Sequence, residues 1–224
     1  MPSIFSAAVA ALVLMSSSLL AAAPKRVALV FDDGPVPAQT PAFLALLAAE
    51  RVHVTFSHVG KNVAAHPALA RAAADAGHEI INHSYTHPHL KELDDASVRR
   101  EAADASAAIA AATGRGPRWF WAPFLECDER VARDVREAAG LEHFPYQRFH
   151  FLSTSDWDER TTPAAVFRAA TTDIRDQTVV LCHEWPEKTL AQLPAIIAEL
   201  KRQGCVFLTF SELAATLPPD HPAR

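Results

Sequence analysis

Apolar runs that read as strands alternate with helical patterns along this chain, and this alternation most restricts the fold. Several runs are continuous or nearly so: VALVF starts at Val27, VVLC at Val179 and VFLTF at Val206. Continuous apolar runs are typical of strands that are covered on both faces, as in parallel sheets. The sequence predicts seven such strands, at residues 26–31, 52–57, 79–82, 118–122, 149–153, 178–182 and 205–210.

Helical segments separate these strands. The sequence predicts helices at residues 40–50, 64–76, 93–112, 128–139, 163–175 and 190–203. Repeated strand–helix alternation indicates parallel strands joined by right-handed crossovers. We therefore expect an α/β fold, a distorted (β/α) barrel with about seven parallel strands. In such folds the chemistry lies at the carboxyl ends of the strands.

Length and charge restrict the classes of function. The chain has 224 residues, half of them hydrophobic, which fits one α/β domain with a sizeable core. The net charge is -5, and neither sign forms a long block. A basic groove for nucleic acid is therefore not expected. We expect a monomer with no nucleic-acid partner.

The amino terminus has the pattern of a secretory signal peptide. Residues 4–23 are mostly apolar and end in the small residues Ala21, Ala22 and Ala23. An uncleaved membrane anchor is the alternative, because the run approaches the roughly 20 residues that span a bilayer. We predict a signal peptide at 1–23, one domain at 24–217 and a frayed tail at 218–224. The protein is then exported, periplasmic or secreted, with no membrane contact after cleavage.

Two adjacent carboxylates mark the end of the first predicted strand, in the segment FDDGP. Gly34 and Pro35 predict a sharp turn there. Because successive side chains of an extended chain point apart, one of Asp32 and Asp33 can bind a metal while the other acts as a base. The alternative interpretation is an acidic turn on the surface.

Two histidines follow the third predicted strand, in the segment HSYTH. His83 and His87 are four residues apart, so on one face of a helical turn they can share an ion, a common Zn²⁺ spacing. With Asp33 they form a three-ligand set that leaves positions open for water and substrate, as in catalytic sites. We expect a divalent metal, with Zn²⁺ as the default ion and Co²⁺ or another divalent ion as alternatives. The competing interpretation is two partly exposed loop histidines.

A third histidine, His183, emerges where the strand containing VVLC ends. Asp156 ends the preceding strand region and can orient and charge this imidazole. A carboxylate partner raises the pKa of a histidine and suits it to act as a general acid. The alternative is a core histidine with its hydrogen bonds satisfied.

These segments resemble, in order, motifs of the polysaccharide deacetylase family, the NodB homology domain of carbohydrate esterase family four, over roughly residues 26–216. WAPF at 121–124 and STSDW at 153–157 occupy the places of the family's third and fourth motifs. The resemblance implies a NodB-like fold and a metal-dependent hydrolase that removes N-acetyl groups from an N-acetylated polysaccharide or oligosaccharide. It implies these roles: Asp32 as base; Asp33, His83 and His87 as metal ligands; His183 as acid with Asp156 as its partner; and Trp121, Pro123, Phe124, Trp157 and Leu181 as substrate-binding residues.

The third and fourth motifs depart from the family pattern. Trp121 stands where the family usually has an arginine that tunes the base, and Ser153 replaces the first aspartate of the fourth motif. Arg118 is close in sequence, but strand alternation turns it away from Trp121. We expect Trp121, Phe124 and Trp185 to offer ring faces to a sugar. Two other functions stay open: a metal-dependent hydrolase of another amide or ester, and a non-catalytic carbohydrate-binding homologue, which the missing arginine favours.

Overall fold

The computed structural model describes residues 23–218. The predicted signal peptide, apart from Ala23, and residues 219–224 of the predicted tail lie outside the described residues. Between residues 23 and 218, no helix combines the length and apolar character needed to cross a bilayer.

A parallel sheet forms the centre of the molecule. Its order is β5-β4-β3-β2-β1-β7-β6, and β8 also pairs with β1. Every pairing is parallel. The strands are β1 Lys25–Gly34, β2 Thr55–His58, β3 Glu79–Asn82, β4 Trp119–Phe120, β5 Glu142–His143, β6 His150–Ser153, β7 Thr178–His183 and β8 Cys205–Phe207. The expected distorted barrel of parallel strands is confirmed, with one additional short strand.

Helices connect the strands and cover the sheet. They are α1 Thr40–Glu50, α2 Gly60–Ala65, α3 Pro67–Asp75, α4 Asp95–Thr113, α5 Glu129–Ala139, α6 Pro163–Thr171, α7 Glu187–Arg202 and α8 Phe210–Ala214. Side chains at the caps of α4, α5, α6 and α8 accept from the first-turn N–H groups that have no partner within the helix.

Several predicted elements differ from the structure in their bounds, and two differ by more than their bounds. The helix predicted at 64–76 is two helices that meet at His66, because Pro67 lacks an N–H and restricts the residue before it. The strand predicted at 205–210 ends at Phe207, and Thr209 caps α8 through a capping box with Glu212.

The alternation of side chains along β1 sets the position of the site. Val27, Leu29 and Phe31 pack into one buried cluster with the helices, whereas Ala28 and Val30 pack into a second cluster on the other face. This second cluster contains aromatic residues from the loops after β4 and β5 and from α8, namely Trp121, Phe144 and Phe210. Because side chains two residues apart share a face, Asp32 continues the row of Ala28 and Val30 toward Trp121.

Candidate active site

The carboxyl ends of the central strands surround one cavity of about 420 Å³. Asp32 on β1 lies directly opposite His183 on β7 in the strand register. The loop after β3 supplies His83 and His87. The cavity is lined by Asp32, Asp33, His83, His87, Phe124, Leu125, Ser153, Trp157, Leu181, His183 and Trp185. The topology therefore brings the three motifs together, as the strand-end argument predicted.

Asp33, His83 and His87 form a compact group of potential metal ligands. One ligand atom from each lies within 4.8 Å of the others. Asp33 Oδ1 lies 3.5 Å from His83 Nε2 and 3.2 Å from His87 Nε2. This buried oxygen makes no hydrogen bond within the described part of the chain. An unpaired carboxylate oxygen that faces two imidazole nitrogens fits a divalent cation, because the set is His₂Asp with room for further ligands.

The orientation of His83 is fixed by a hydrogen bond on the side of its ring away from Asp33. His83 Nδ1–H donates to the Trp121 carbonyl oxygen over 2.7 Å, which leaves Nε2 free to face Asp33. Burial alone raises the pKa of Asp33, but the nearby His83 and His87 outweigh burial and hold this pKa well below its usual range. The carboxylate is therefore charged, as a metal ligand has to be.

The segment HSYTH is a loop, and its prediction as a helical turn was wrong. Ser84 and His87 have positive φ angles of 60° and 64°, which a right-handed helix excludes. Glu101 from α4 holds the loop, since its carboxylate accepts from the backbone N–H groups of Tyr85 and Thr86 at 2.8 and 2.7 Å. The two histidines meet because Glu101 on α4 holds this loop, and not because residues four apart share one face of a helix.

Asp32 lies inside the protein beside this group. The residue is 4% exposed, and Oδ2 accepts the indole N–H of Trp121 over 2.9 Å. Oδ1 is buried and makes no hydrogen bond to any residue between 23 and 218. Burial raises the pKa of Asp32, and the opposing attraction of His83 and His183 does not cancel that rise. Asp32 thus combines one anchored oxygen with one free oxygen.

The structure corrects the expected role of Trp121. The side chain is 0% exposed, so its ring offers no face to a sugar. It packs instead against Phe210 and Tyr146, with ring centroids 5.3 Å away in both cases. Pro123 is buried as well, so its expected contact with substrate is also not supported. Trp121 supplies a neutral donor to Asp32 where the family usually has a cation.

His183 and Asp156 form a closely held pair. His183 Nδ1–H donates to one carboxylate oxygen of Asp156 over 2.8 Å, and the His183 backbone N–H donates to the other over 2.8 Å. Thr189 on α7 donates its hydroxyl to the same carboxylate over 2.5 Å. Burial lowers the pKa of His183, but the bond to Asp156 and the negative charges of Asp156, Asp32 and Asp33 together outweigh burial and raise the pKa to about 9. The predicted pairing of this imidazole with Asp156 is present in the structure.

Exposed aromatic rings surround the mouth of the cavity. Phe124 and Trp157 are 53% and 54% exposed, and the buried Leu181 of β7 lines the cavity below them. Phe124 stacks on His89 with centroids 3.9 Å apart and an interplanar angle of 11°. Its φ of 57° turns the chain at this point.

The sequence did not predict the two indole hydrogen bonds to the aspartates, but it placed Arg118 correctly. The donors to both aspartates, Trp121 and Trp185, were treated only as ring faces. For the bond to Asp32, the available signal was the tryptophan at position 121, where the family usually has an arginine donor. Arg118 lines a separate cavity with His78 and Glu79, in agreement with the alternation argument that turned it away from the site.

Comparisons with known proteins agree with this geometry. A sequence model described as polysaccharide deacetylase matches residues 21–143. The peptidoglycan-N-acetylglucosamine deacetylase PgdA of Listeria monocytogenes is 30% identical over 189 residues, which are 84% of this chain and 39% of that protein. The chitooligosaccharide deacetylase of a Bradyrhizobium strain is 31% identical over 196 residues, 80% of this chain and 86% of that protein.

A solved structure shares both sequence and fold with this chain. The family 4 carbohydrate esterase from Streptomyces lividans in complex with acetate is 33% identical, with a TM-score of 0.74, and the match covers 82% of this chain and 91% of that one. The chain spans well under half of the Listeria relative but most of the Bradyrhizobium and Streptomyces proteins. The family model, the relatives and the fold agree: the chain belongs to the polysaccharide deacetylase family of hydrolases.

Proposed function

We propose that this protein is a metal-dependent hydrolase that removes N-acetyl groups from an N-acetylated polysaccharide or oligosaccharide. The observation that carries the proposal is the convergence of Asp33, His83 and His87 within 4.8 Å, with Asp32 and His183 lining the same cavity. Relatives that are named for peptidoglycan N-acetylglucosamine and for chitooligosaccharides support this substrate class.

The metal ligands in this proposal are Asp33, His83 and His87. Zn²⁺ suits two imidazoles and one carboxylate, and Co²⁺ or another divalent ion is the alternative. When bound, such an ion polarises a carbonyl oxygen and lowers the pKa of a water molecule toward 7. The unpaired Oδ1 of Asp33 is the feature of this chain that the ion would satisfy.

Asp32 acts as the general base. Its Oδ2 is occupied by the Trp121 indole, so the unpaired Oδ1 is the atom that takes a proton from the attacking water. The Trp121 bond also fixes the direction of the carboxylate, which keeps the free oxygen at one place in the cavity.

His183 acts as the general acid. Because Nδ1–H is committed to Asp156, Nε2 is the nitrogen that can carry a proton to the leaving amine. The raised pKa of about 9 keeps His183 protonated at neutral pH. Asp156 positions the ring and stabilises its charge, while the bond from Thr189 holds Asp156.

The remaining groups bind the substrate. The exposed rings of Phe124 and Trp157 are placed to stack on sugar faces, and Leu181 with Trp157 forms an apolar contact for the acetyl methyl group. The backbone N–H of Phe124 donates to no group between residues 23 and 218, and it is the candidate donor to the developing oxyanion.

We propose three further properties of the whole protein. They are export to the periplasm or outside the cell by a signal peptide at 1–23, a single deacetylase domain at 24–217, and a monomeric state without membrane contact.

The test is metal analysis of the purified protein together with acetate release from chitin oligomers and peptidoglycan, with and without chelator. We expect one bound divalent ion per chain and acetate release that the chelator abolishes and added Zn²⁺ restores. Acetate release that persists in the metal-free protein would overturn the proposal.

The two other candidate functions give different results. A hydrolase of another amide or ester would release acid from other members of a substrate panel and no acetate from these glycans. A carbohydrate-binding homologue would bind the glycans and release no acetate from any of them. The replacement of the family's arginine by Trp121 favours the second candidate, but the Trp121 indole still supplies Asp32 with a donor.

A further inference from the structure

Asp33 presents its two carboxylate oxygens to different surroundings. Oδ1 faces His83 and His87 and has no hydrogen bond to any residue from 23 to 218, whereas Oδ2 accepts the indole N–H of Trp185 over 2.9 Å. The other rim aromatics make no such bond to this aspartate. Trp185 thus distinguishes the two oxygens of a carboxylate that would otherwise be free to rotate.

The backbone at Asp33 does not by itself set the direction of this carboxylate. Asp33 has a φ of 72°, in the left-handed region that interrupts the regular alternation of side chains along β1. Two contacts from outside the strand hold the residue. Asn62 donates its side-chain N–H to the Asp33 carbonyl oxygen over 2.9 Å, and Trp185 holds the side chain.

Trp185 is itself anchored to the strand end. It follows His183 and Glu184 at the end of β7, and Gln39 donates its side-chain N–H to the Trp185 carbonyl oxygen. Glu184 is buried and accepts the hydroxyl of Thr40 at the start of α1. The chain is therefore anchored on both sides of the Trp185 Cα, although the residue is 43% exposed.

We propose that Trp185 is a positioning residue for Asp33, and that its indole N–H occupies Oδ2 so that only Oδ1 is offered to the divalent ion. This inference rests on the proposed function, because it requires that Asp33 binds a metal. An indole N–H is a donor that does not titrate, so it can hold one carboxylate oxygen at any working pH. Groups that orient metal ligands in this way commonly change metal affinity 10-fold to 100-fold when they are removed.

The test compares Trp185→Phe with Trp157→Phe in the full chain. Phe keeps an aromatic ring at either position but lacks the N–H. Trp157 is the matched control, since it is an exposed rim tryptophan that lines the same cavity without a hydrogen bond to Asp33. We expect Trp185→Phe to raise the Zn²⁺ dissociation constant about 10-fold to 100-fold in calorimetry, and Trp157→Phe to leave it unchanged.

A spectroscopic measurement distinguishes a change in the arrangement of the metal ligands from a general loss of structure. With Co²⁺ in place of Zn²⁺, the visible absorption reports the number and arrangement of ligands, and we expect it to change in Trp185→Phe but not in Trp157→Phe. Trp185→Leu should give the same result, so the test does not depend on the folding of one variant. Circular dichroism and thermal unfolding check that each variant is folded.

The outcomes separate this inference from the function on which it rests. A wild-type chain that binds no divalent ion would overturn both. A wild-type chain that binds Zn²⁺, with Trp185→Phe of equal affinity and an identical Co²⁺ spectrum, would overturn the role of Trp185 alone.

Discussion

Two tryptophans hold the adjacent carboxylates of the site, in opposite surroundings. Trp121 donates to Asp32 from inside the core with a side chain that is 0% exposed, whereas Trp185 donates to Asp33 at the mouth and is 43% exposed. Loss of the inner donor leaves a buried carboxylate oxygen without a partner, whereas solvent can replace the donor at the exposed mouth. We therefore expect the inner bond to affect stability and catalysis together and the outer bond to affect mainly metal geometry.

The largest effect should come from the two histidine ligands, His83 in the buried inner region and His87 in the partly exposed outer region. We expect His83→Ala and His87→Ala both to lose stoichiometric Zn²⁺, measured by metal analysis, because each removes one of three protein ligands. His83→Ala should also lower the free energy of unfolding more than His87→Ala, because it leaves the buried Trp121 carbonyl without its partner. Equal destabilisation of the two variants would contradict the contrast between inner and outer regions.

The next effect concerns the inner carboxylate. Asp32→Asn should reduce kcat for acetate release by roughly 10²- to 10⁴-fold, because the variant cannot take a proton from water. Its Zn²⁺ content should match wild type, since Asp32 is not among the proposed ligands. A variant that keeps both its metal and its turnover would show that Asp32 is not the base.

The inner tryptophan provides the sharpest comparison with the outer one. Trp121→Phe should lower the free energy of unfolding by about 1–3 kcal/mol, because it leaves a buried carboxylate oxygen of Asp32 without a donor. It should also lower kcat. Denaturant unfolding and steady-state kinetics measure the two effects.

A matched control uses a third tryptophan. Trp119 donates its indole N–H to the Ser211 hydroxyl over 3.1 Å and lies outside the cavity. Trp119→Phe should therefore leave kcat unchanged. If Trp121→Phe destabilised the protein no more than Trp185→Phe does, burial would not be the property that distinguishes the two donors.

A pH titration tests the pair of His183 and Asp156. In the metal-free protein, NMR should show His183 losing its proton near pH 9, and Asp156→Asn should move this titration to lower pH. The folded pKa lies above the ordinary 6.5, so stabilisation from this ionisation is complete below about pH 6.5 and is lost as pH rises through 9. A His183 titration near 6.5 in the folded protein would contradict the pairing.

The smallest effect should come from an exposed rim residue. Trp157→Ala should raise KM for a chitin oligomer about threefold to tenfold with little change in kcat, because stacking binds ground state and transition state alike. The experiment needs only steady-state kinetics. A fall in kcat at constant KM would place Trp157 nearer to the reaction than we propose.

Much of the fold follows from local patterns. The strand at 79–82 and the helix at 40–50 agree with the structure at both ends, because an apolar run and a helical repeat are each set by neighbouring residues. β5 was missed because Glu142 and His143 carry no apolar pattern, and they pair only because β4 lies beside them. The HSYTH loop was misassigned because Glu101, which holds it, lies on another element.

The sequence by itself determined the parallel sheet, the strand ends that carry chemistry, and the aspartates and histidines that meet there, because strand periodicity and sharp turns are local properties. Only the tertiary structure decided how these groups are held. The bond from Trp121 to Asp32 spans 89 residues, and the bond from Trp185 to Asp33 spans 152. Such contacts depend on how strands and loops pack in three dimensions, and no pattern of neighbouring residues encodes them.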